Sequence, residues 1–147
     1  MLQIADRAGL AGTARIMIVD ACAAQRERLC ARIEQARACA EPLASLSDFD
    51  TDGGNPALVL VHDEGGALAA AVAWSTGLAS PPPPVVAYGQ APPVARVVQA
   101  MKAGACDYLE CPIDDGVIER IIEQAVELSA RSARTVDRQF YATWAIE

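Results

Sequence analysis

Aromatic residues are scarce in this chain, and long apolar runs are absent. Phe, Trp and Tyr make up 5% of its 147 residues. The apolar runs fall well short of the roughly 20 residues that cross a membrane. Residues 1–14 lack the basic start and long apolar core of a secretory signal peptide. We therefore expect a cytoplasmic protein without membrane contact, whose single domain is long enough to bury a core.

Basic residues are also in the minority. Lys and Arg number 12 against 19 Asp and Glu, which gives a net charge of −7 and a pI near 4.6. Proteins that hold nucleic acid neutralise its phosphates with clustered Lys and Arg, so we expect no nucleic-acid binding by this chain. Its five cysteines are odd in number and form no CxxC pair, which predicts reduced thiols.

Short apolar runs alternate with longer amphipathic stretches along the chain. The runs are typical of buried parallel strands, which read as continuous apolar segments. Pro42 restricts the second run to a sheet edge, because proline cannot donate to the hydrogen-bond ladder. The five predicted strands are Arg15–Asp20, Cys39–Leu43, Ala57–Val61, Val85–Tyr88 and Tyr108–Leu109.

Helical spacing of apolar residues fills most of the gaps between these strands. Gly104 predicts a C-terminal glycine for the fourth helix, and Asp114 is placed to cap the last one. Five strands alternating with five helices favour a parallel sheet covered on both faces. No GxGxxG follows the first strand, which disfavours a dinucleotide-binding fold. The predicted helices are Cys22–Ala38, a turn or two around Phe49, Leu68–Leu78, Val94–Met101 and Val117–Leu128.

Four segments of residues 14–130 resemble the receiver domains of bacterial response regulators. The resemblance implies a flavodoxin-like (βα)5 three-layer sandwich with strand order 2-1-3-4-5 and a site at the carboxyl edge. Residues 1–14 are then an N-terminal extension, the receiver-like domain covers 15–130, and 131–147 form a helical tail. The segments are Ile18–Asp20, Pro56–Val61, Pro84–Gly89 and Met101–Pro112.

The resemblance also implies a phosphorylation pocket, and this chain departs from its pattern. Receivers hold Mg²⁺ with two acids after the first strand and an aspartate after the third, which accepts the phosphoryl group. A Thr or Ser after the fourth strand and a Lys after the fifth contact that group. Here Asp20 fits the first acid, while the other positions hold Ala21, His62 (with Asp63 one residue later), Gly89 and Cys111.

Two alternatives remain open beside a degenerate pocket. Asp63 and Asp20 with Mg²⁺ would make a phosphorylatable receiver only if the strand end shifts, because successive strand side chains point in opposite directions. Cys22, His62 and Cys111 suit a thiol- or metal-based sensor, with Asp20 beside them. We expect no cofactor, apart from Mg²⁺ if phosphorylation survives. An enzyme is disfavoured, since the lone histidine has no nucleophile at motif spacing.

We therefore predict non-enzymatic signalling by protein contact, as a pseudo-receiver. Its partner would be a histidine kinase, an output domain, another regulator or a second copy in a homodimer. Tyr108 matches an aromatic position that swings inward or outward in receivers, and Cys106 is expected in the core. The tail carries an apolar stripe at i, i+4, i+8 from Val136. Candidates for interface or core are Val94, Val98, Tyr108, Ile118, Ile122, Phe140 and Trp144.

Overall fold

Five strands and four α-helices alternate within the part of the chain that the computed structural model describes. It describes residues 14–50, 54–79 and 81–146, with side chains up to residue 131. The strands are β1 (Arg15–Val19), β2 (Cys39–Leu43), β3 (Leu58–His62), β4 (Val85–Gln90) and β5 (Asp107–Cys111). The helices are α1 (Ala23–Gln35), α2 (Ala67–Leu78), α3 (Val94–Lys102) and α4 (Asp115–Ile146).

The strands form one parallel sheet in the order β2-β1-β3-β4-β5. This confirms the predicted flavodoxin-like fold. β2, which contains Pro42, pairs only with β1 and lies at the edge, as expected of a strand that lacks one backbone donor. In the parallel register His62 lies beside Tyr88, and Gln90 lies beside Cys111. The carboxyl ends of all five strands therefore meet at one edge of the sheet.

Both faces of the sheet are buried at its centre, which explains why β1, β3 and β4 are mainly apolar. Ile18 and Leu60 belong to one core cluster with residues of α1 and α4, whereas Met17 and Val61 belong to the other with residues of α2 and α3. Ile118 and Ile122 of α4 lie in the first cluster with 4% and 6% of their surface exposed. The sequence left interface and core open for these two candidates, and the structure places both in the core.

The predicted helix between β2 and β3 is a single 3₁₀ turn, Leu46–Asp48. The segment is short and polar, so it has no apolar face that would hold a longer helix against the sheet. Phe49 follows the turn in extended conformation and packs edge-on against Trp74 of α2, with ring centroids 4.9 Å apart. Leu46 and Phe49 both pack against the core cluster on this face, which holds the turn to the rest of the domain.

The connection between α3 and β5 confirms one prediction and corrects another. Gly104 has φ +116° just after the end of α3, as a C-terminal glycine does, and a Cβ there would lie 2.7 Å from Val72 Cγ1. Cys106, expected in the core, is exposed, and Ala105 is buried in its place. Adjacent residues of an extended chain face opposite ways, so moving the inward position by one residue exchanges the two.

Helix α4 continues well past the core of the domain. Its 32 residues span about 48 Å at about 1.5 Å per residue. The side chains of Phe140 and Trp144 lie outside the described residues, as do residues 1–13, so their predicted roles stay predictions. Among the described residues, no helix combines the length and apolar character needed to cross a bilayer.

Candidate functional site

Asp20 lies directly after β1 at the carboxyl edge, with 1% of its surface exposed. The backbone N–H of Cys22 donates to its Oδ1 at 2.8 Å, and the Tyr88 hydroxyl donates to its Oδ2 at 2.7 Å. Arg26 donates to the backbone oxygen of the same residue at 2.7 Å. Both carboxylate oxygens of Asp20 therefore already have protein partners, which offsets the cost of burying a charge.

His62 ends β3 on the same side of the sheet as this carboxylate. Its Nδ1 lies 3.6 Å from Asp20 Oδ1 and 3.2 Å from Glu64 Oε2, and its ring lies 5.5 Å from the Tyr88 ring. Burial, followed by the hydrogen bond to Asp20, raises the pKa of Tyr88 well above its usual value. The hydroxyl therefore keeps its proton and remains a donor. The arrangement is a polar cluster satisfied by its own members.

Asp63 engages a different set of partners. Arg96 Nε donates to its Oδ2 at 2.9 Å, the Tyr108 hydroxyl donates to the same oxygen at 2.9 Å, and Arg96 Nη2 donates to its backbone oxygen at 2.7 Å. The Asp63 side chain is 14% exposed. The bonds to Asp20 and those to Asp63 therefore come from different side chains.

Tyr108 lies inward over Gly89, the position where receivers carry a Thr or Ser. A Cβ on Gly89 would lie 2.5 Å from the Tyr108 hydroxyl oxygen, so any side chain there requires the ring to move. Burial, the hydrogen bond to Asp63 and that carboxylate's charge raise the pKa of Tyr108 to about 12. The tyrosine hydroxyl thus takes the place of the missing hydroxyl of residue 89.

The lysine position holds a neutral group. Cys111 is half-buried, and its Sγ lies 4.0 Å from Gln25 Nε2. Burial, and then the charge of Asp20, raise the pKa of the Cys111 thiol. A protonated thiol supplies no counter-charge to a phosphoryl group. Ala21, at the second acid position, is exposed and offers no side-chain oxygen.

The residues at this edge do not fit a magnesium site. Mg²⁺ requires several oxygen ligands in near-octahedral geometry. Asp20 is the single acid of the predicted pair, and both of its oxygens accept hydrogen bonds. Within residues 14–50, 54–79 and 81–131, no group of three or more Cys, His, Asp or Glu side chains is arranged to hold a metal ion. In that part of the chain Cys22, His62 and Cys111 do not belong to such a group.

The position of the edge could be predicted from the sequence, but two of its residues, Tyr88 and Arg96, were not predicted. Asp20, His62 and Cys111 meet there as predicted, because they follow or end neighbouring strands. The sequence could have indicated Tyr88, since a hydroxyl at the end of a buried strand needs a hydrogen-bond partner. It could not have indicated Arg96, because the contact of this side chain with Asp63 depends on how α3 lies against β3 and β4.

No protein-family model matches the chain, and no curated protein does. Solved structures match over most of it. A pilus assembly-related protein from Burkholderia pseudomallei is 17% identical, with a TM-score of 0.66, over 80% of this chain and 92% of that one. A response regulator receiver protein from Pseudoalteromonas atlantica is 19% identical, with a TM-score of 0.62, over 77% and 97%. The chain has the fold of a receiver domain.

Full-length FixJ from B. japonicum is a third similar structure, at 25% identity and a TM-score of 0.65. The match covers 82% of this chain and 61% of FixJ.

The outer surface of α3 carries the exposed candidates. Val94 is 80% exposed and Val98 is 45% exposed, and Met101 one turn further is 44% exposed. These positions follow the i, i+4, i+7 spacing of one helix face. Arg96 joins the start of the same helix to Asp63. The apolar face of α3 is thus fixed to the edge of the sheet.

Proposed function

We propose that the chain is a cytoplasmic, non-enzymatic signalling module with a receiver fold that acts by protein contact, independently of phosphorylation. The observation that carries this proposal is that the carboxylates of Asp20 and Asp63 are both bonded by neighbouring side chains, Tyr88 in one case and Arg96 with Tyr108 in the other. These bonds engage both oxygens of Asp20 and Oδ2 of Asp63, so a metal or a phosphodonor would compete with them.

The charges at the carboxyl edge also support a function that is independent of phosphorylation. A phosphoryl group on a carboxylate adds negative charge, and it is stabilised by a metal ion or by charged donors close by. Position 111 carries a protonated thiol, and Arg96 already pairs with Asp63. A phosphorylated state would therefore lack the counter-charge of the lysine, and Arg96 could supply one only by rearranging its bonds to Asp63.

The contact surface that we propose is the face of α3 with Val94, Val98 and Met101, joined by the tail of α4. Exposed apolar side chains in a row are typical of protein interfaces. The partner is a histidine kinase, an output domain, another regulator or a second copy of the chain. Homodimerisation through the tail is tested by solution mass of the full chain against one ending at Ala130. A mass that halves on truncation supports the dimer, and equal monomer masses contradict it.

The experiment that tests phosphorylation independence is incubation with acetyl phosphate and Mg²⁺, followed by intact mass, and titration with beryllium fluoride followed by NMR. We expect no phosphoryl adduct and no shift of the amides around Asp63. A conventional receiver treated in parallel is the positive control. An adduct that disappears in Asp63→Asn contradicts the proposal.

A phosphorylatable receiver is the second candidate function. Asp63 lines a cavity of about 380 Å³ at the carboxyl edge, together with Gly89 and Arg96. That space is open to a small phosphodonor. Tyr108 and Arg96 both bond to Oδ2 of Asp63, so a phosphoryl group on this residue would have to fit beside them or displace the Tyr108 ring.

A further inference from the structure

A second cavity, of about 510 Å³, opens between α1 and the ends of β4 and β5. Neither Asp20 nor Asp63 lines it. Its inner walls are mainly apolar and are formed by buried side chains such as Leu29 and Ile113, with half-buried Cys111 beside them. Its volume lies in the range of about 300–1,000 Å³ that is usual for small-molecule sites. The crevice is therefore large enough for a ring system.

Polar groups stand at the mouth of this crevice. Gln25 and Arg28 lie on one face of α1, and Gln90 lies opposite them at the end of β4. Within the part of the chain whose side chains are described, Arg28 has no ion-pair or hydrogen-bond partner. Arg32, one turn further, is occupied, because it bonds to the backbone oxygen of Ile113 and to Asp115 Oδ1 at 2.9 Å. Arg28 is thus the available cation at the mouth.

We propose that this crevice binds a small organic acid with an apolar ring, its carboxylate held by Arg28 and its ring against Leu29 and Ile113. A guanidinium pairs with a carboxylate through charge-assisted hydrogen bonds, and the amides of Gln25 and Gln90 offer further donors. The net charge of −7 gives no general attraction for anions, so selectivity for an acid has to come from this local arginine.

Tyr88 also lines the crevice, and its hydroxyl bonds to Asp20. Tyr88 is fully buried behind the crevice wall, so a ligand there would contact the carboxyl edge at the half-buried Cys111 and provide a signal input that does not use phosphate. The inference goes beyond the contact function proposed above and does not depend on it, since a phosphoryl adduct on Asp63 would leave this crevice unchanged.

The test is calorimetric titration of the full chain with 1-naphthoate and with the neutral 1-naphthamide. We expect naphthoate to bind, the amide to bind about tenfold more weakly, and Arg28→Gln to abolish the difference. Arg120→Gln removes an exposed arginine elsewhere, beside Asp107, and should leave the preference intact. Failure of naphthoate to bind at millimolar concentration, or equal binding of acid and amide, overturns the proposal.

Thiol alkylation locates the ligand independently of affinity. Cys111 lines the crevice, whereas Cys39 and Cys106 are exposed and line none of it. Naphthoate should slow iodoacetamide modification of Cys111, measured by peptide mass mapping, and leave Cys39 and Cys106 unaffected. Binding without protection of Cys111 would place the ligand elsewhere and overturn the assignment of this crevice.

Discussion

The Tyr108 hydroxyl lies 2.5 Å from the point where a Cβ on Gly89 would stand. The ring occupies its inward position because residue 89 has no side chain. From there the hydroxyl donates to Asp63, which Arg96 of α3 also contacts. Three elements, β3, β5 and α3, are joined through one carboxylate. This chain has Gly89 where receivers have a Thr or Ser. The absence of a side chain there allows the Tyr108 hydroxyl to join the bonds at Asp63.

Gly89→Ala is expected to destabilise the domain by about 1–3 kcal/mol, the usual cost of overpacking. The clash involves the hydroxyl oxygen of Tyr108, so Tyr108→Phe should relieve part of it. In the Gly89→Ala background we expect Tyr108→Phe to be neutral or stabilising, although it removes a hydrogen bond in the parent chain. Urea unfolding of the two single variants and the double variant measures this coupling.

Gly77→Ala is the matched control for this cycle. Gly77 lies inside α2, and a Cβ there meets no atom within 4 Å. Replacing a helical glycine by alanine stabilises by about 1 kcal/mol at most. If Gly89→Ala proved as well tolerated as Gly77→Ala, the inward position of Tyr108 would not depend on residue 89.

Tyr88→Phe is expected to cost about 1–3 kcal/mol of unfolding free energy. Tyr88 is fully buried and donates to Asp20, so the variant leaves a buried carboxylate oxygen without that donor. Thermal or urea unfolding measures the loss. Tyr108→Phe, at a partly buried hydroxyl, should cost less. Equal stability of Tyr88→Phe and the parent would mean that the Asp20 oxygen finds another donor.

Much of the fold could be predicted from local patterns, because β1, β3 and β4 are mainly apolar runs, whereas the strand order came from the resemblance to receivers. The edge position of β2 could be predicted from Pro42. The carboxyl edge could be predicted for the same reason: Asp20 and His62 end or follow neighbouring strands. The bonds within that edge could not, since Tyr88 reaches Asp20 from two strands away, and Arg96 reaches Asp63 only in one orientation of α3.

Arg96→Ala is expected to loosen the start of α3. The side chain makes two hydrogen bonds to Asp63, one to the carboxylate and one to the backbone oxygen. Hydrogen exchange of the amides of Val97 and Val98 should accelerate in the variant, while amides in β1 keep their protection. Arg120→Ala removes a longer ion pair to Asp107, at 3.7 Å, and serves as control. Unchanged exchange in α3 would show that its position is held by packing alone.

Alkaline pH should weaken the domain through Tyr108. Burial, and then the hydrogen bond to Asp63, raise its pKa to about 12 in the folded state, against about 10 in an unfolded chain. Below about pH 10 both states keep the proton and the contribution to stability is complete; between about pH 10 and 12 the unfolded state loses its proton first, so the free energy of unfolding falls. Urea unfolding across this range should show a shallower decline for Tyr108→Phe than for the parent. Tyr88 is present in both proteins, so it does not contribute to the difference between them. Identical declines in the two proteins would contradict the bond between Tyr108 and Asp63.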